Sequence, residues 1–213
     1  VRENEWHAAQ AVQFWVDNSA AMQFSSQQES KLHRAAIIAL ALAILLNQAG
    51  ERVGTSDGAL PPQTGRAQIS ALAQAMARPA SHDFGRAEIE GLMPNSLAVF
   101  ASDFFGDLAT LRETVTRAAG QQVQGVLLMV LDPQELHFPF QGRTLFESMA
   151  GSLCHESQKA DDLRRPYFEA LEERKAQLEN LAHSLSWRFF MHDTDQPASG
   201  ALLDLYHALE GRR

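Results

Sequence analysis

Six consecutive apolar residues, Val126 to Leu131 (VLLMVL), leave this chain few folds to choose from. A strand equally hydrophobic on both faces has to be covered on both, which is the situation of a central strand in a parallel sheet flanked by helices. Strand-like and helix-like patterns alternate around it. Ala11 to Val16 puts Val12, Phe14 and Val16 on one face and Gln13 and Trp15 on the other, and stops at Asp17. Arg52 to Thr55, Leu97 to Ala101 and Trp187 to Met191 are the other expected strands, and Gly58 to Pro62 is a turn or an edge strand. Helices are expected from Lys31, after a capping Ser30, to about Gln48, and over Ala67–Met76, Asp107–Ala119, Leu163–Leu185 and Gly200–Leu209. The fold class is α/β, with a Rossmann-type, mostly parallel central sheet and helices on both faces. With 213 residues, 45% of them hydrophobic, residues 1–213 are expected to form one domain. Residues 132–165 contain Pro133, Pro139 and Gly142, are longer than an ordinary connection, and read as an irregular excursion or interaction surface.

The charge balance, 18 Lys and Arg against 26 Asp and Glu, gives −8 and no basic stripe, which argues against nucleic acid and anionic membrane as partners. The basic pairs Arg164-Arg165 and Arg212-Arg213 are short. The longest apolar run, Ala35 to Leu46, falls short of the roughly 20 residues of a bilayer span and reads as a buried helix. The single cysteine, Cys154, fits a reducing, cytoplasmic compartment. A chain that opens on Val1 is expected to be the C-terminal part of a longer protein.

In open α/β sheets, ligands sit beyond the carboxyl ends of the strands, where the strand order reverses. Two strands here end in an acid beside a hydroxyl: Asp17-Asn18-Ser19 after the first and Ser102-Asp103 after the third. If those strands are neighbours, carboxylates and hydroxyls converge, an all-oxygen set suited to Mg²⁺ or Mn²⁺. Thr64, beside Gly65 at the entry to a helix, is a further hydroxyl candidate.

Six pieces in order, VRENEW, FWVDNSAAMQF, SKLHRAA, GERVG, FASDF and LDPQELHFPFQG, resemble the bacterial family known as domain of unknown function fifty-eight. The resemblance spans Val1 to about Phe146. It implies a von Willebrand factor type A fold and association with AAA+ ATPases of the MoxR type, with this chain as adaptor or co-chaperone and not an enzyme. It also implies a metal-ion-dependent adhesion site, in which Asp17 and Ser19 match the first element, Asp103 the later aspartate and Thr64 the threonine. The second serine of that element is absent, since Ala21 stands there. A methyl group cannot coordinate, so only weak, degenerate Mg²⁺ or Mn²⁺ binding is expected.

Several other readings compete. A phosphoryl-transfer hydrolase of the haloacid dehalogenase kind would use Asp17 as nucleophile, but it needs an acid where Ser19 stands, and Lys159 and Lys175 are in the wrong context for its lysine. A nucleotide-binding Rossmann domain needs a glycine-rich turn after the first strand, and Asn18 to Ser30 contains no glycine. Asp103 with Asp107 could pair as acid and base, yet Asp107 fits better as the start of a helix, where a negative charge is favoured. The eight histidines show no metal-ligand spacing, and Cys154-His155 are chain neighbours, which rarely face one another. Phe138-Pro139-Phe140 is either an exposed apolar tip or a plug at the edge of the sheet.

Overall fold

The computed structural model describes residues 9–152 and 154–210; the VRENEW piece and the Arg212-Arg213 pair lie outside the described residues. Strand β1 (Ala11–Val16) leads through a loop to α1 (Lys31–Gln48) and β2 (Arg52–Thr55). Next come α2 (Arg66–Met76), β3 (Leu97–Ser102), α3 (Leu108–Gly120) and β4 (Gln124–Leu131). The order continues with α4 (Pro133–His137), β5 (Thr144–Glu147), β6 (Cys154–Ser157), α5 (Asp161–Ser184), β7 (Arg188–Asp193) and α6 (Ala198–Glu210). Five strands form one parallel sheet in the order β2-β1-β3-β4-β7. The chain therefore builds outward from β1 in both directions, and its topological switch lies between β1 and β3.

The sheet separates two cores. Val12, Phe14, Val99, Leu128 and Val130 pack with α1, α2 and α6, while Phe100, Leu127, Met129 and Leu131 pack with α3 and α5. Val126–Leu131 is wholly buried, as a strand apolar on both faces must be. Gln13 is buried too, and is accommodated because its amide donates to the Thr55 and Gly91 carbonyls and accepts from Met93 N–H, fastening the 77–96 loop to β1. The open edge of β2 is covered by the segment around Gly58–Pro62, with Gln63 bridging Val53. That approach requires glycine at position 54, since a Cβ there would lie 2.5 Å from the Leu60 carbonyl oxygen.

Helix α1 is by length and composition capable of crossing a membrane, a correction to the reading that no stretch approaches a span. In this fold Leu32, Ile38, Leu42 and Leu46 are in the core, and α6 packs alongside. Residues 132–165 are also more ordered than expected. Asp132 starts α4 with a reciprocal capping box, its side chain accepting from Gln134 N–H while Glu135 accepts from Asp132 N–H. Strands β5 and β6 then pair as an antiparallel hairpin of their own.

Candidate binding site at the carboxyl end of the sheet

Strands β1 and β3 are neighbours, so their carboxyl ends meet at the switch point. Asp17 is buried, with Oδ2 accepting from Ser102 Oγ at 2.6 Å and Oδ1 from Ser19 N–H at 2.8 Å. The loop of residues 77–91 lies over this turn. Ala20 and Ala21 donate to the His82 and Asp83 carbonyls, and Ala80 donates to that of Asn18. Gly85 is set against the Asp17 carboxylate so closely that a Cβ would overlap all three of its terminal atoms.

Asp103 is 1% exposed, and its charge is met from inside the protein. Oδ1 accepts from Phe105 N–H at 3.0 Å, and Oδ2 accepts from Lys31 Nζ at 2.7 Å. The same ammonium donates to Glu135 Oε1 at 2.6 Å. Burial by itself would lower the Lys31 pKa; the Asp103 and Glu135 carboxylates outweigh it and hold the ammonium above its usual value. For Glu135 burial wins over Lys31, and its carboxyl titrates above the ordinary range. Asp132, also buried, accepts from Ser26 N–H and Ser26 Oγ, which fixes the 24–30 loop against the end of β4.

Thr64 belongs to the other end of the molecule. It is exposed, its neighbour Gly65 donates to Asn47 Oδ1, and Gln63 pairs with Val53 beside Val12 near the start of β1. Asn47 lies 16 residues along α1 from Lys31, about 24 Å at 1.5 Å per residue. The expected four-residue set thus reduces to Asp17, Ser19 and Asp103. Among the described residues there is no group of three or more His, Cys, Asp or Glu side chains arranged to hold a metal ion.

A divalent cation does not fit what remains. The Asp17 carboxylate is covered by Gly85, Asp103 is committed to an ammonium, and Ala21 brings no oxygen. Ser19 Oγ is buried without a hydrogen-bond partner, but one hydroxyl is no cage for a cation. The expected outcome is an equal melting temperature in EDTA and in millimolar Mg²⁺, because a ligand specific to the folded state would raise it. A rise of several degrees with Mg²⁺ or Mn²⁺, lost in Asp103→Ala, would contradict this account.

Other sequence candidates take structural roles. Asp107 caps α3, accepting from Ala109 and Thr110 N–H; the Thr110 hydroxyl bond, first among its hydrogen bonds, holds its carboxyl below the usual range. Cys154 and His155 are successive, exposed residues of β6, on opposite faces of a strand. Phe138 is neither an exposed tip nor an edge plug. It packs against Phe140, Phe146 and Tyr167 with ring centroids 5.2, 5.9 and 4.9 Å away.

These rings wall a cavity of about 510 Å³ that opens over the Lys31–Asp103–Glu135 group. Its far side is closed by the hairpin and the 77–91 loop, which meet where Asp83 accepts from Ala150 N–H and Ser152 Oγ. Neither Lys31 nor Glu135 stood out as a site residue in the sequence, although both left a trace. A lysine in the first turn of a helix opposes the dipole, and Asp132-x-x-Glu135 is a capping box.

Residues 1–177 match the model of the family described as Protein of unknown function DUF58. The chain belongs to this family. The match runs through most of α5, beyond the end at Phe146 that the six sequence pieces mark. Two solved structures share the DUF58 chain's fold. One is a conserved hypothetical protein, BatB from Bacteroides thetaiotaomicron, with 13% identity and a TM-score of 0.56 over 94% of this chain and 96% of that one. The other is an aerotolerance-related membrane protein from Bacteroides fragilis NCTC 9343 with multiple mutations to serines. It shows 12% identity and a TM-score of 0.58 over 95% of this chain and 100% of that one. At such identities the likeness is one of fold alone. No curated protein matches this DUF58 chain.

Proposed function

We propose that this DUF58 chain is a cytoplasmic protein-interaction module of the von Willebrand factor type A kind, an adaptor or co-chaperone of a MoxR-type AAA+ ATPase, and not an enzyme. It recognises its partner at the carboxyl end of the sheet without a metal ion. One observation carries this reading: the Lys31 ammonium, 2.7 Å from Asp103 and 2.6 Å from Glu135, provides an internal cation at the base of an aromatic-walled cavity. A type A domain loads a metal next to the aspartate after its central strand and lets a partner carboxylate complete the coordination. Here the charge of that aspartate is already neutralised, and the surface above it is free for apolar recognition.

The strand order, the Asp17-x-Ser19 turn at the switch point and the exposed Phe84 and Met149 lining the cavity all support the reading. The phosphoryl-transfer alternative requires Asp17 to attack in line, and Gly85 lies on that carboxylate.

Co-purification with a MoxR-type AAA+ ATPase is the test. Complex formation is expected to survive EDTA and to fall at least tenfold on Phe146→Lys, which removes a ring from the cavity wall and adds a positive charge. Unchanged binding by Phe146→Lys and by Asp17→Ala with Asp103→Ala would remove the carboxyl end of the sheet from recognition.

A further inference from the structure

The cavity has an electrostatic sign opposite to that of a metal-loaded adhesion site. Four carboxylates line it, those of Asp83, Asp103, Glu135 and Glu147, against the single ammonium of Lys31. The positive charge lies at the bottom: Lys31 is 1% exposed and bonded on two sides to carboxylates. Asp103 is equally deep, while the Glu135 side chain is 17% exposed and Glu147 stands on the hairpin at the rim. A visiting group therefore meets negative charge first and in excess.

The walls suit a cation as well. Seven aromatic rings line the cavity, and a ring face attracts positive charge through its quadrupole. The protein already uses the cavity in this way, since Lys31 Nζ lies 5.9 Å from the Phe24 centroid and 5.4 Å from that of Phe105. Between the rings the lining is aliphatic, with Leu163, Pro166 and Met149, the surface along which a methylene stem packs.

We infer that the cavity receives a basic side chain, arginine or lysine, flanked by apolar residues on the partner protein, its stem along the phenylalanine faces and its head toward Glu147 and Glu135. This rests on the reading of the carboxyl end of the sheet as a partner-recognition surface and adds the chemistry of the partner. An acidic partner residue, the kind a bound metal would select, is repelled.

The test titrates the full chain with three blocked tripeptides, acetyl-Leu-Arg-Phe-amide and its Gln and Glu counterparts, followed by NMR. The Arg peptide is expected to bind at least tenfold tighter than the Gln peptide, and the Glu peptide weakest. Raising NaCl from 50 to 500 mM should shrink the Arg advantage through screening. Glu147→Gln should shrink it several-fold and leave the Gln peptide unaffected.

Equal affinity of the Arg and Gln peptides, tighter binding of the Glu peptide, or no binding by any of the three overturns the inference. Capture of the ATPase is read separately. If it persists while the peptides fail, the basic side chain is wrong and the recognition surface stands. If it is lost while the Arg peptide still binds, the adaptor role is wrong and the cavity chemistry stands.

Discussion

Replacing Lys31 by methionine is expected to destabilise the protein by about 3–5 kcal/mol at neutral pH, the usual cost of removing one partner from a buried ion pair. Methionine keeps most of the volume, so the loss reports the charge. With the ammonium gone, the buried Asp103 and the partly buried Glu135 are left as two carboxylates with no cation between them. Burial already holds the Glu135 carboxyl above its ordinary value, and without the Lys31 charge that opposes it the group rises further, so the destabilisation is full at neutral pH and fades as pH falls through that raised value. Thermal melts of wild type and Lys31→Met should therefore converge as pH falls toward the unfolded carboxylate value of about 4. The triple variant Lys31→Met, Asp103→Asn, Glu135→Gln should recover most of the loss at pH 7, because the amides keep the Phe105 and Asp132 N–H bonds without the charge. At the alkaline end the sign reverses. The contribution of Lys31 in the wild type is whole below its unfolded pKa near 10.5 and is lost as pH rises through the higher folded value. A Lys31→Met protein as stable as wild type at pH 7 would mean that the internal cation does not hold the site together.

Gly85→Ala is the second large effect expected. A Cβ at this position overlaps the Asp17 carboxylate, and that group has no room to swing away. It is 1% exposed and held by Ser102 Oγ and Ser19 N–H. The 77–91 loop has to yield, and with it the bonds that Ala20, Ala21 and Ala80 make across the turn. Forced overpacking of this kind costs about 1–3 kcal/mol, and the lifted loop should become a site of limited proteolysis between residues 77 and 91. Asp17→Gly with Gly85→Ala should restore resistance to cleavage. If Gly85→Ala alone is as stable and as resistant as wild type, the loop does not seal Asp17 in solution, and a cation could reach that carboxylate.

Much of the scaffold was legible residue by residue. The alternation in AVQFWV separated its two faces, although the burial of Gln13 on the second face was not legible in it, and Ser30 marked the start of α1 because a side-chain oxygen there answers the free amide of His33. Strand-end placement brought Asp17 and Ser102-Asp103 together, since β1 and β3 are neighbours across the switch. Thr64 shows where matching by order breaks down. It follows a helix and a strand as the pattern asks, but the Gln63–Val53 bridge turns the chain back along the edge and delivers Thr64 to the amino end of the sheet.

The alternating periods of the chain, its apolar central strand and its acid-bearing strand ends determined the α/β layering and where a site would lie, because backbone pairing and burial follow local patterns. Tertiary structure decided what the site is made of. The ammonium that meets Asp103 comes from 72 residues away, and the glycine that covers Asp17 from a loop with no regular structure. The aromatic cavity depends on a hairpin folded back over both. Long-range contacts of this kind depend on how the loops pack, which no local period encodes, and they set an ammonium against the aspartate that was expected to serve as a metal ligand.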